Sequence, residues 1–132
     1  MKGSDHITCA WPDQVAGRII PFFSIAWIDM IHQYLVQTGN AEEVRRWRDG
    51  IIRIMDWYIG RLNADNLLGP MPHWNFVDCN REWPWDPDNA SICEPTGTKT
   101  GNSALLSLQC VYGLQQSASI LAHLGYSGQA EK

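Results

Sequence analysis

Between Phe22 and Gln37 nearly every position is apolar, and the polar exceptions Asp29, His32, Gln33 and Gln37 recur at helical spacing. This pattern predicts a helix over about 21–38 that is buried around most of its circumference, with Pro21 suited to its first turn. Thr38-Gly39-Asn40-Ala41 then reads as a stop and a restart. Gly39 serves as the left-handed C-terminal residue and Asn40 as an N-cap, and Glu43 completes a capping-box pattern. A second helix is expected over about 41–62, with Val44, Trp47, Ile51, Ile54, Tyr58 and Leu62 on one stripe. Glu42, Arg45, Arg46, Arg48, Asp49 and Arg53 fall mostly away from it.

From Asn63 to Thr100 the chain is rich in Gly, Pro, Asn and Asp; at roughly 38 residues this connection far exceeds the usual length of about 4 to 6. Trp74, Phe76, Val77, Trp83, Trp85 and Ile92 make it too apolar for a disordered linker, so an ordered, functional loop over about 63–101 is expected. A third helix over about 102–124 follows, bounded by Gly101 and Gly125, and no Asp, Glu, Lys or Arg occurs between Lys99 and Glu131. Leu105, Leu108, Tyr112 and Leu121 are expected to face the first two helices. Leu106, Val111, Leu114, Ile120 and Leu124 then form a second apolar side with nothing in the chain to cover it. Either neighbouring helices are missing, or copies of the chain associate through the exposed faces. The run from Tyr126 to Lys132 resembles the cap and first turn of a further helix.

The order of helix, turn, helix, long loop and helix is the rhythm of stacked helical hairpins, and it predicts an all-α single unit. An α-solenoid for protein partners and an α/α barrel with long loops at one end share this rhythm; the aromatic loop favours the barrel.

The chain has 132 residues, within the range of one domain, and no linker divides it. A net charge of -4 without a basic stripe argues against nucleic acid as a partner. The longest apolar stretch, Ile19 to Ile28, is too short to span a membrane. Residues Met1 to His6 lack a signal-peptide core, yet a fragment's parent could carry one, so cytoplasmic, periplasmic and secreted locations all stay open. Of the four cysteines, Cys9, Cys79, Cys93 and Cys110, none forms a CxxC pair. Free thiols are favoured over one disulfide, for which Cys79 with Cys93 is the first choice.

The seven tryptophans are the one unusual feature of the composition, and they draw attention to His73-Trp74-Asn75-Phe76-Val77-Asp78. A sugar needs a flat aromatic for its C–H face and short polar groups for its hydroxyls, and this run supplies both. In an extended conformation Trp74, Phe76 and Asp78 share one face, with Asn75 and Val77 on the other. The alternative is that Trp74 and Phe76 anchor the loop and Asp78 caps a turn. Glu82, Trp83, Trp85, Asp86, Asp88 and Glu94 extend the acidic and aromatic character, and any two of these carboxyls could be nominated as a glycosidase pair. Asp86-Pro87-Asp88-Asn89 lacks the later Gly and Glu of an EF-hand loop and reads as a turn. His6, His32, His73 and His123 show no zinc spacing, and no phosphate loop or nucleophile elbow is present, so no metal or other cofactor is expected.

The run Ile19-Ile20-Pro21-Phe22-Phe23-Ser24, followed by Trp27-Ile28-Asp29-Met30-Ile31-His32 and Tyr34, resembles α-L-rhamnosidases of the six-hairpin glycosidase group. Leu67-Leu68-Gly69-Pro70, Trp74-Asn75-Phe76-Val77-Asp78 and Gly101-Asn102-Ser103-Ala104-Leu105-Leu106 continue the resemblance in the same order. It implies part of an (α/α)6 barrel, inverting hydrolysis of terminal α-L-rhamnosyl linkages, and a rhamnose-containing glycan as partner. It also implies that the general acid and base lie outside this chain, which makes it an internal fragment without catalytic residues of its own. Trp74 becomes the subsite wall and Asp78 a hydroxyl or loop-bracing partner; Asn75, His73 and Trp83 complete the expected substrate-binding set. One position departs from the family pattern: Cys79 stands where a second Trp is usual, which removes an aromatic surface. A non-catalytic carbohydrate-binding or protein-interacting hairpin module is the competing reading.

Overall fold

A computed structural model describes residues 19–78 and 93–131. Five helices occur among them: α1 (Pro21–Thr38), α2 (Ala41–Arg45), α3 (Arg48–Ile59), α4 (Ala104–His123) and α5 (Ser127–Ala130). The described residues form no strand; Leu62 and Leu68 make an isolated antiparallel bridge. The described residues are thus mostly helical, as an all-α chain requires.

The turn after α1 forms largely as its residue types dictate. Gly39 takes φ 67° and its N–H returns to the Leu35 carbonyl, while Asn40 caps α2 by accepting from the Glu43 N–H. The reciprocal half of the capping box does not form. The Asn40 N–H goes instead to Thr38 Oγ1 at 3.2 Å, and Glu43 pairs with Arg46 at 3.0 Å.

The expected helix over 41–62 is interrupted and shorter. The N–H groups of Arg46 and Trp47 reach back only three residues, to Glu43 and Val44, and α3 restarts with Trp47 at its N-cap. This tightened turn lets Trp47 pack against the core and meet Tyr34 edge-on, with ring centroids 6.2 Å apart. The stripe itself survives the break: Val44, Ile51, Ile54 and Tyr58 are buried, and Trp47 and Leu62 pack against them. Gly60 ends α3, and Leu62 is already committed to its bridge with Leu68.

Two face assignments are corrected. In α1 the buried positions Ser24, Ile25, Ile28, Ile31 and Leu35 make one face, and Met30 and Val36 are about two-thirds exposed, so the helix is buried on one side only. In α4 the inward face carries Leu106, Cys110, Gly113, Ser117, Ile120, Leu121 and Leu124, whereas Leu105, Leu108, Val111 and Tyr112 are exposed. Gly113 explains this orientation, because a Cβ there would lie 3.2 Å from Ile25 Cγ2 and 3.3 Å from Met55 Cε. The small residues Gly113 and Ser117 on this face let α4 approach its neighbours closely.

Helices α1 and α4 run in the same direction, since Gly113 meets Ile25 and Ser119 Oγ lies 3.0 Å from His32 Nε2 one to two turns further along both. Tyr112 Oη donates to Asp29 Oδ1 at 2.6 Å along the same seam. The Arg48 guanidinium, 4.3 Å from the Tyr126 ring centroid, ties α3 to the turn before α5. No described helix is long and apolar enough to cross a membrane.

Candidate functional site

The described residues after α3 and before α4 lie at the end of the molecule that also holds the start of α1, where the Trp74 N–H meets the Ile19 carbonyl. They are bound to the helices and to each other. Leu68 and Met71 are buried in the core cluster. Ser107 Oγ receives the Leu68 N–H at 3.0 Å, the Asn102 N–H donates to the Leu68 carbonyl, and the Met71 N–H to that of Thr98 at 2.8 Å. Asn63 Nδ2 donates to Asn102 Oδ1, and Asn63 Oδ1 accepts from the N–H groups of Asp65 and Leu67. Gly97, at φ 84°, closes the turn before α4; a Cβ there would fall 2.9 Å from the Gly101 carbonyl oxygen. Ser103 then caps α4 by accepting from the Leu106 N–H.

Within this frame residues 74–78 alternate as an extended chain does. Asn75 is 2% exposed and Val77 packs on the core, whereas Trp74 and Phe76 are half-buried and Asp78 is exposed. The Trp74 and Phe76 rings are neighbours, with centroids 5.1 Å apart and planes tilted by 54°. Trp74 is fixed through its backbone N–H, which donates to the Ile19 carbonyl at 3.1 Å. Trp74 and Phe76 therefore lie together on one side of the segment, each partly exposed, with Asp78 exposed beyond them.

Asn75 has a different place from that of a sugar ligand. Its Nδ2 donates to the carbonyls of Pro72, His73 and Met71 at 3.1, 3.2 and 3.3 Å, so its side-chain amide braces the loop from inside. Its backbone N–H donates to Glu94 Oε1 at 2.6 Å. Glu94 is buried and also faces Lys99 Nζ at 3.5 Å, which makes it a loop brace. Lys99 Nζ donates in turn to the His73 carbonyl at 2.7 Å.

His73 is exposed, takes φ 69°, and stacks near-parallel to Trp57 with ring centroids 6.4 Å apart. Trp57 and Arg61 are the members of this end that sequence reasoning passed over. Arg61 Cζ lies 3.7 Å from the Trp57 ring centroid, and Arg61 Nη1 donates to the Trp57 carbonyl at 2.8 Å. The i, i+4 spacing of Trp57 and Arg61 was the available signal.

Trp83, with Glu82, Trp85, Asp86 and Asp88, lies outside the described residues. Cys93, whose carbonyl accepts from the Val77 N–H at 3.1 Å, is disulfide-bonded, which corrects the expectation of free thiols. Cys110 is a free, buried thiol, and burial pushes its pKa up to about 11. Among the described residues no group of three or more His, Cys, Asp or Glu is placed to hold a metal ion. An apolar cleft of about 450 Å³ between α3 and α4 includes Ile51, Met55, Ile59, Leu114 and Leu121 in its lining, but none of the Trp74 to Asp78 face. No protein-family model, curated protein or solved structure matches the chain.

Proposed function

We propose that this chain is the sugar-facing portion of a glycoside hydrolase related to the α-L-rhamnosidases, with its helices belonging to an (α/α)6 barrel. In this reading α1 and α4 are successive inner helices and α3 an outer one, which the parallel course of α1 and α4 supports. The observation that carries the functional reading is the partly exposed pair of Trp74 and Phe76, with Asp78 exposed beyond them, on a loop braced by Asn75 and Glu94. A rigid aromatic with a neighbouring carboxylate packs against the C–H face of a pyranose and orients its hydroxyls at low entropic cost.

The roles proposed are recognition and support. Trp74 forms the subsite wall, Asp78 meets a hydroxyl, and the acid and base of an inverting hydrolysis come from other parts of the parent enzyme. Within that parent, Trp74→Ala is expected to raise KM or lower kcat/KM on an aryl rhamnoside without abolishing turnover; unchanged kinetics would remove Trp74 from the site. The isolated chain is expected to bind without hydrolysing, and turnover by the purified chain would overturn the proposed division of roles.

A further inference from the structure

Arg61 differs from Lys99, a cation of the same loop end, which faces the Glu94 carboxylate at 3.5 Å. Arg46 and Arg48, after α2 and at the start of α3, also face carboxylates, at 3.0 and 3.2 Å. Arg61 has no carboxylate partner among the described residues: its contacts are the Trp57 carbonyl and the Trp57 ring. Partial burial lowers its pKa, opposed by Tyr58, and an arginine remains charged at neutral pH. The stacking and the Nη1 hydrogen bond hold the guanidinium plane in place, so donors remaining on the fork are pre-oriented with little rotamer entropy left to lose. A planar fork of this kind matches a carboxylate in two-point geometry. The exposed imidazole of His73 flanks the same indole, and His73 is bonded directly to Trp74 in the chain.

We propose that Arg61, held over Trp57 beside His73, is an anion-binding subsite that accepts the carboxylate of an acidic sugar residue in a glycan packed on Trp74. The assignment of the glycan rests on the function proposed above; the anion site rests on Arg61 alone. A neutral sugar offers the guanidinium no charge and no two-point acceptor, so the site selects for uronic acids over their neutral counterparts.

The test is an NMR titration of the full chain, following the Arg61 Nε–Hε and Trp74 indole signals with D-galacturonate, D-galactose and sodium acetate. Galacturonate is expected to move the Arg61 signal and to bind about fivefold or more tightly than galactose. Arg61→Gln, which keeps a donor for the Trp57 carbonyl, is expected to remove that preference, and Arg61→Lys to retain part of it. Equal binding of the two sugars, or a preference that survives Arg61→Gln, would overturn the subsite, and the wild-type Arg61 signal decides the matter even if the variant fails to fold. Acetate separates the two ideas. A shift at Arg61 with acetate, but none at Trp74 with any sugar, leaves the anion site standing and removes the sugar reading. A response at Trp74 with Arg61 silent to both anions does the reverse.

Discussion

The backbone N–H of Asn75 donates to Glu94 Oε1 at 2.6 Å, joining two parts of the loop that lie nineteen positions apart in the chain. A buried, charge-assisted bond of this kind is stronger than a neutral one, and removing its acceptor strands a buried donor. Glu94→Ala is expected to cost about 2–3 kcal/mol in urea unfolding and Glu94→Gln about 1 kcal/mol less. Hydrogen exchange at the Asn75 and Val77 amides checks the location, since both should exchange faster in Glu94→Ala while the α1 amides do not. Equal exchange in the two proteins would mean that Glu94 does not hold the loop.

The approach of α4 to α1 depends on Gly113. Its substitution by Ala places a Cβ 3.2 Å from Ile25 Cγ2, close enough that Ile25 must shift by a few tenths of an ångström, and Val adds two methyls to the same space. Gly113→Val is expected to destabilise the chain by about 1–3 kcal/mol through overpacking, despite the poor helix propensity of Gly. Gly128, which has nothing within 4 Å of a built Cβ, is the control: Gly128→Ala should stay within about 1 kcal/mol of wild type. Thermal unfolding followed by circular dichroism compares the two, and a neutral Gly113→Val would contradict the close packing.

Alkaline pH should unfold the protein through Cys110 and Tyr58. Burial raises the Cys110 pKa from 9.0 to about 11, and burial, with Cys110 as the second cause, also raises that of Tyr58. Both groups are neutral when protonated and are held so in the fold. Their stabilising contribution is complete below the unfolded pKa and is lost as pH rises through the folded value. For Cys110 the loss falls between pH 9 and about 11 and is on the order of 2–3 kcal/mol. Cys110→Ala should flatten the stability profile in that window, measured by urea unfolding at each pH. A profile unchanged by the substitution would show that the thiol titrates normally.

The helices were legible in the sequence because their signals are local. Pro21, Gly39 and Asn40 mark ends by backbone chemistry that holds in any context, and the Val44 to Tyr58 stripe repeats at helical spacing. The alternation of Trp74, Phe76 and Asp78 against Asn75 and Val77 was legible for the same reason, once an extended chain was assumed. What tertiary contact decides was not legible. Gly113 and Ser117 turn the small-residue face of α4 inward, which the apolar pattern alone does not single out. Trp47 interrupts the second helix to pack on the core. Asn75, expected in the substrate-binding set, directs its amide to three carbonyls of its own loop, and the Arg61 to Trp57 stack depends on rotamers that spacing alone does not fix.

Whether the face carrying Trp74 receives a sugar is tested by tryptophan fluorescence of the isolated chain titrated with L-rhamnose and an oligosaccharide ending in it. A saturable change is expected in the wild-type chain that weakens by about tenfold or more, roughly 1.4 kcal/mol, in Trp74→Ala, with an unchanged far-ultraviolet circular dichroism spectrum. A wild-type chain that gives no saturable response, or a folded Trp74→Ala variant that binds as tightly as wild type, would contradict sugar binding at Trp74.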